Sequence, residues 1–443
     1  MPLNIIDLPA FRRDLNFGLP QDRVLVEDSQ TLALFTGNLA AGWDVRNSLS
    51  VQRTSDKYFV TEGVYGSPDE NLVYREPLDF HHIRRPVQNQ TEVVGRLTGA
   101  GTHNLLFGYE FHRDKYRTAV TAGDDPDCIC GYWWLTIAPM DITTMQETQG
   151  TLDIDTIART TFVNDRTHAF YVQDQIDITP QFKLNVGYRA DNYERDVTRV
   201  GGFPFTPQHR QQTAHSYRAG VVYAPRYDQQ LYFATSSSFT PVNTVPPDGT
   251  QLEPSTARNY EVGHRWQGWN GRVDTTAAFY YLVRNNVTLQ QSVLEFIQVG
   301  EQNSKGLDVD VNTDLGGDAY LVFNYGVAVP KFNEGTFDGK TPRFAPKHNV
   351  NLWLRKDLPG GFNAGFGLRY LSSQFGDNNN TQRLDDYTIF SGAVGYRTPG
   401  WDWTVNAENL FNNDDYFLPG HFGNNAFPGQ PINVTTTFRL KWN

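Results

Sequence analysis

From Ile432 to the end the chain alternates without a break, with Ile432, Val434, Thr436, Phe438, Leu440 and Trp442 on one side and Asn433, Thr435, Thr437, Arg439 and Lys441 on the other. A strand points successive side chains to opposite faces, so one face here is apolar and the other carries charge. Just upstream, Trp401, Trp403, Val405 and Ala407 alternate with Asp402, Thr404, Asn406 and Glu408. The same pattern recurs in Phe182–Asp191, Arg272–Val283, Leu321–Val327 and Phe362–Tyr370, and helical spacing is sustained nowhere over a comparable length. Neighbouring strands of this kind fit a sandwich, or a barrel wall with lipid outside and water inside. Trp442, one residue from the end, puts an aromatic where a membrane interface favours one, which points to the barrel.

Two kinds of connection alternate between the strands. Tight ones, rich in Gly, Pro, Asn and Asp, are expected near Asn38–Gly42, Gly99–Thr102, Thr179–Gln181, Ala224–Gln229, Gly268–Gly271, Asp314–Asp318, Asp357–Gly361 and Thr398–Trp401. Long polar and aromatic ones are expected at 117–158, 196–211, 241–254, 286–295, 329–345, 375–384 and 412–430. Short turns on one rim and long loops on the other are the habit of outer-membrane barrels. The tight turns from Thr179 onward recur at roughly 40–47 residues, which is also the period of a propeller blade. A blade needs four short strands per period, however, and these periods hold two long ones. A soluble β-propeller-like binding protein is therefore the weaker alternative.

Composition agrees with one repetitive architecture. Aromatics make up 14%, and a mean hydropathy of −0.51 conceals a lipid face because the faces alternate. No apolar run reaches the roughly 18 residues of a membrane helix. A net charge of −11 speaks against a general nucleic-acid binder. The N-terminus, MPLNIIDLPAFRRDLNFG, lacks the basic start and apolar core of a signal peptide, although an outer-membrane protein needs one. About seventeen long strands can be counted, whereas single-chain bacterial barrels close with an even number. Both observations lead to the expectation that residues 1–443 are one barrel domain, incomplete at its N-terminal end. Cys128 and Cys130 are too close for an unstrained bridge and lack the spacing of a metal or redox site, so they read as two loop thiols or a strained loop disulfide.

Several stretches resemble the barrel of TonB-dependent siderophore receptors of the Gram-negative outer membrane: LEPSTARNYEVGHRW (252–266), AAFYYLVRNNVT (277–288), VGEQNSKGLDVDV (299–311), PRFAPKHNVNLWLRKDLPGG (342–361) and VNAENLFNNDDYF (405–417). HNLLFGYEF (103–111), FYVQDQIDITPQFKLNVGYRAD (170–191) and YRAGVVYAP (217–225) continue the series in the same order. The resemblance implies a transmembrane antiparallel β-barrel with about 17 of 22 strands in this chain, short periplasmic turns and long extracellular loops. It implies an N-terminal plug that lies outside this sequence, together with the TonB-coupling segment. It further implies a monomer in outer-membrane lipid that takes up ferric siderophores. The rival within this fold is a plugless passive or degenerate outer-membrane barrel.

A ferric siderophore brings its iron already coordinated, so no metal ligand, cofactor or catalytic residue is expected of the chain, and no hydrolase or phosphate-binding motif is present. Aromatic walls and a few polar groups suffice. Loop candidates are Tyr132, Trp133, Trp134, Phe203, Phe205, Phe375, Tyr416, Phe417 and His421, weighed against girdle or loop packing. Arg189, Asp191, Arg369, Asp402, Glu408, Arg439 and Lys441 read as lumen-facing charges that would meet the plug. His81 and His82 are adjacent on a strand and so cannot easily share a metal; with Arg84 and Arg85 they read as a solvated or lumen-edge basic segment.

Overall fold

A computed structural model describes residues 18–67, 71–122, 137–144, 156–201, 205–242, 252–290, 296–420 and 426–441. The described residues are mostly strand and contain no α-helix; Pro359–Gly361 forms a short 3-10 turn. Seventeen long strands follow one another. They are β1 Arg23–Ala40, β2 Trp43–Ser67, β3 Leu72–Gly99, β4 Gly101–Ala122, β5 Thr156–Asp177 and β6 Phe182–Gly201. Next come β7 Gln208–Arg226, β8 Gln229–Thr240, β9 Ser255–Gly268, β10 Val273–Gln290, β11 Phe296–Gly316 and β12 Ala319–Phe332. The last five are β13 His348–Asp357, β14 Phe362–Leu371, β15 Tyr387–Arg397, β16 Trp401–Glu408 and β17 Asn433–Leu440. All belong to one sheet, which the short strand Ile137–Asp141 joins as an eighteenth, and every registered pair is antiparallel. Two long strands per period exclude the propeller.

The chain forms two compact units. The first runs to Ile178 and adds Leu184–Arg218 and Ser238–Pro254; the second holds Thr179–Lys183, Ala219–Ser237 and Ser255 onward. Every tight turn expected from Gly, Pro, Asn and Asp is present. Asn270 (φ 57°) and Asp318 (φ 62°) occupy left-handed positions there, a conformation these side chains tolerate better than most.

The strands exceed expectation at the opposite ends. β4 continues through 117–122, β10 through 286–290 and β12 through 329–332, all within stretches expected to be loop. Hydrogen bonding across the hairpins sustains the ladder where the polar sequence no longer advertises a buried face. The final strand is shorter than the alternation suggested, spanning Asn433–Leu440, and Trp442 lies outside the described residues.

In the second unit the registers place Leu352, Phe366, Phe390, Val405 and Phe438 on one face, and Asn351, Arg369, Ser391, Asn406 and Arg439 on the other. Near the tight turns the apolar face carries a continuous aromatic row: Phe362–Tyr396, Tyr396–Trp401 and Trp401–Phe438 centroids lie 4.6, 5.4 and 5.4 Å apart. Such a girdle anchors a barrel at a membrane interface. The first unit alternates likewise, with Trp43, Val45, Leu49 and Val51 of β2 opposed by Ser48, Ser50, Gln52 and Thr54.

Glycine and aromatic residues meet directly across the ladder. Gly108 lies opposite Tyr171, Gly306 opposite Tyr280 and Gly367 opposite Trp353, and a Cβ on Gly108 or Gly306 would collide with the facing ring at 2.0 or 2.2 Å. The ring covers backbone that glycine leaves bare, which explains why the two residue types are abundant together. β1 and β17 differ from the others: apart from Gly37 every residue of both is exposed. Among the described residues each is registered with one neighbour, β2 and β16 respectively.

Candidate ligand-binding site

Near the tight turns, the polar face is a lattice of paired charges. In the first unit Arg189 donates to Asp191 at 2.8 Å and to Glu110 at 3.0 Å, which lets Asp191 remain buried. In the second unit Lys441 donates to Asp402 at 2.7 Å, and Arg439 is registered opposite Asp402. Arg369 lies opposite Asn351 and Glu408 opposite Asn433 on the same face. All seven charges expected to face inward are therefore on the polar faces of their units. Two shallow grooves of about 250 and 360 Å³ run along this face, the first past Arg355 and Arg397 close to the tight turns. Neither reaches the long-loop ends, where a ligand arriving from outside would be met.

Towards those ends the polar face of the first unit becomes aromatic. The even positions of β2, β3 and β4 bring Tyr58, Phe80, His82 and Tyr116 together, because Asp56 pairs with His82, Tyr58 with Phe80 and Arg84 with Tyr116. The His82 ring lies 5.3 Å from Tyr58, 5.5 Å from Phe80 and 5.5 Å from Tyr116. Its Nδ1 is 2.6 Å from the Tyr116 hydroxyl and 3.0 Å from Thr118 Oγ1, and its Nε2 is 3.2 Å from the Tyr58 hydroxyl. Arg84 covers the Tyr116 ring at 5.8 Å and pairs with the buried Asp114. Alongside, Arg195 pairs with Asp165 at 3.0 Å, and Tyr193 donates to the same carboxylate at 3.0 Å. His81 points to the other face, 3.2 Å from Ser55 Oγ, so the adjacent histidines part as strand geometry demands. Rings, a guanidinium and hydroxyls on one wall can grip a flat organic shell and orient its oxygens.

The second unit builds its outer end from tied loops. Asp377, itself buried, accepts from the Thr381 and Gln382 amides at 2.9 Å each and from the Thr381 hydroxyl at 2.8 Å. Asn380 and Asn378 accept from the Thr341 and Arg343 amides at 2.9 and 3.0 Å, and the Phe344 amide donates to the Phe375 carbonyl at 2.8 Å. Residues 333–347 and 372–386 are thereby laced together. Phe375 sits half-buried in the small hairpin that pairs Gln374 with Leu384. Arg343, half-buried with its guanidinium 5.4 Å from the Phe344 ring, has no ion-pair partner among the described residues. Burial pulls its pKa below the ordinary arginine value, but a guanidinium remains a cation throughout the accessible range.

Tyr416 is buried against Tyr387 and Leu371 and donates to the Gln430 carbonyl at 3.2 Å; it packs the loop base and presents little surface to a ligand. Phe417 opens a three-residue hairpin strand paired with Ala426–Pro428 and is half-buried. Phe205 carries Arg199 over its ring at 4.4 Å. Tyr132, Trp133, Trp134, Phe203 and His421 lie outside the described residues, as do Cys128 and Cys130. The sequence reading passed over Tyr58, Phe80, Tyr116, Arg343 and Phe344. For the first three, the alternation running past the lipid-spanning length was the available signal. Among the described residues no group of three or more His, Cys, Asp or Glu could hold a metal ion.

A family model described as TonB dependent receptor-like, beta-barrel matches residues 6–410. Curated relatives include the ferrichrome outer membrane transporter/phage receptor of Escherichia coli, 28% identical over 55% of this chain and 34% of its own length. The ferric-pyoverdine 358 receptor of Pseudomonas putida is 26% identical over 80% and 44%, and the metal-pseudopaline receptor of Pseudomonas aeruginosa 28% over 98% and 62%. This chain thus spans about a third to two thirds of the length of these relatives. Among solved structures, the siderophore receptor PiuA of Acinetobacter baumannii superposes with a TM-score of 0.86 at 17% identity, over 97% of this chain and 67% of that one. The fold is that of these receptor barrels.

Proposed function

Because the chain belongs to the TonB dependent receptor-like β-barrel family, we propose that it supplies the wall and outer rim of an outer-membrane receptor that imports ferric siderophores. In the whole protein, a plug in the lumen and energy delivered through TonB open the path after the rim has taken the ligand. The chain contributes binding and conduction rather than catalysis, and iron is cargo, already held by its chelator. The receptor acts as a monomer.

The observation that carries this reading is the change in character along the polar face. It is charge-paired near the tight turns and turns aromatic at the outer ends, where Tyr58, Phe80, His82 and Tyr116 gather. Paired charges suit a wall that meets a polar filling, whereas rings beside Arg84 suit an organic chelate.

The test is uptake of radioactive iron by iron-starved cells with and without the gene, offered as ferrichrome, ferrioxamine B, a ferric pyoverdine and a ferric catecholate. Loss of one of these with the gene, and its return on complementation, supports the reading. Unchanged uptake of the whole panel removes siderophore import. A rise in the passive entry of small hydrophilic dyes in cells carrying the gene would instead indicate an open pore.

A further inference from the structure

On the polar face of the second unit, the Trp353 indole lies along the β14 backbone. Trp353 is registered opposite Gly367, and Arg355 opposite Gly365. A Cβ at Gly365 or Gly367 would stand 2.4 or 2.5 Å from a ring atom, so two residues without side chains are what let the ring rest there. Trp353 borders both grooves of this face and is only half-buried, which leaves aromatic surface open to the lumen.

Guanidinium groups gather beside the ring. Arg355, Arg397 and Arg439 line the groove of about 250 Å³, and Thr404, Asn406 and Thr437 add neutral polar groups. Arg355 donates to Asp357 at 2.6 Å, Arg397 approaches Asp402 at 3.7 Å, and Lys441 donates to Asp402 at 2.7 Å. Arg439 is registered opposite Asp402 but forms no ion pair with it or with any other described residue. Four cations thus share two carboxylates, and positive charge is left over for a partner. A carboxylate from a neighbouring protein segment would answer the charge and leave the indole bare. A planar aromatic anion answers both, because its ring can stack on the indole while a guanidinium fork holds its oxygens. At this volume the groove takes one ring with its acid group rather than a whole chelate.

We propose that the groove lined by Trp353, Arg355 and Arg439 is a second binding station, at the tight-turn end of the lumen wall, for a planar aromatic anion such as the acidic ring of a chelator. The station goes beyond capture at the outer rim. It rests on the import reading for the identity of its passenger, and on the groove alone for its ligand class.

The probe is salicylate, with salicylamide as its uncharged analogue and cyclohexanecarboxylate as an anion without an aromatic ring. Equilibrium dialysis of the folded protein in detergent micelles, against protein-free micelles at low salt, reads the binding. Saturable uptake of salicylate is expected, with salicylamide about tenfold and cyclohexanecarboxylate about three-fold weaker. Arg439→Gln should weaken salicylate about tenfold and Trp353→Leu about three-fold, whereas Arg272→Gln, beside another tight turn and outside the groove, should change nothing. No saturable binding, equal binding of salicylamide, or full affinity in Arg439→Gln overturns the proposal. If Trp353→Leu does not fold, the two anions decide the aromatic part: equal affinity marks a bare cation cluster and overturns it as well. Iron uptake is read separately. Gene-dependent uptake without salicylate binding would overturn the station and leave import standing. Salicylate binding without gene-dependent uptake would remove import and keep the ligand class of the groove.

Discussion

The two compact units use the same two-faced strand to different ends. In the first, β2, β3 and β4 run 25, 28 and 22 residues; in the second, β13 to β17 run 8 to 11. A tilted strand needs only about 9–11 residues to cross the lipid. These last five strands of the second unit therefore stop near the membrane and carry their outer material as laced loops. The first sends its hairpins on by another ten residues or more, some 35–60 Å of ladder. An outer end made of strand displays side chains in register on two faces at once. An outer end made of loops displays them wherever its ties allow. The charges differ in the same way: Arg189 is locked between Asp191 and Glu110, whereas Arg369 is exposed and stands opposite Asn351.

The largest expected effect tests that last difference. Arg189→Met strands two carboxylates that are mostly shielded from water, and should destabilise the barrel by about 2–3 kcal/mol in a urea titration monitored by heat-modifiable gel mobility. Arg369→Met in the second unit should stay within about 0.5 kcal/mol. Comparable losses would mean that the charge lattice is equally structural in both units.

Loop ties come next. Asp377→Ala removes one acceptor of three hydrogen bonds and should loosen residues 372–386 at a cost of about 1–2 kcal/mol locally. The measurement is limited proteolysis on intact cells, where rapid new cleavage between 372 and 386 is expected while β2–β3 stays resistant. Unchanged cleavage would show that Asn378 and Asn380 hold the loops alone.

Ligand binding separates the outer ends directly. His82→Ala with Tyr116→Ala should weaken binding of the transported chelate about tenfold, or about 1.4 kcal/mol, with little change in barrel stability. Arg343→Gln should do so only for chelates that carry a negative charge. If Arg343→Gln weakens all chelates and the aromatic pair none, the binding end has been assigned to the wrong unit.

The smallest effect is a pH dependence at Asp141, at the end of the short strand beside β3. Its carboxylate accepts from the Thr143 hydroxyl at 2.6 Å and amide at 2.7 Å, which hold its pKa below the usual 3.8. A depressed carboxylate stabilises the folded turn above the unfolded value, and the contribution disappears as pH falls below about 3.8 through the lower folded value. Hydrogen exchange at Thr143 should therefore accelerate only in that acid window, and Asp141→Asn should abolish the dependence.

Much of this architecture was legible in the residues. The alternation at Phe362–Tyr370 and Trp401–Glu408 returned as two-faced strands, Gly, Pro, Asn and Asp marked every tight turn, and the count of about seventeen strands matched those observed. Arg189, Asp402 and Arg439 fell on the polar face because parity alone assigns a face once one strand is oriented. The outer ends were not legible. Polar, aromatic stretches such as 117–122 read as loop, since a ladder held by hairpin hydrogen bonds needs no apolar face. Tyr416 has the composition of a binding residue and the position of a packing one.

The sequence by itself determined which face of each strand meets lipid, where the chain reverses on its tight side, and the family to which the barrel belongs. These are local properties, carried by a period of two and by turn chemistry. Only the tertiary structure decided that His82, Tyr58 and Tyr116 share one wall, that Arg355, Arg397 and Arg439 share one groove, and that the loops beside Arg343 are tied. Those are matters of register between strands tens of residues apart, where shifting one partner by a single residue would reverse the face of every side chain.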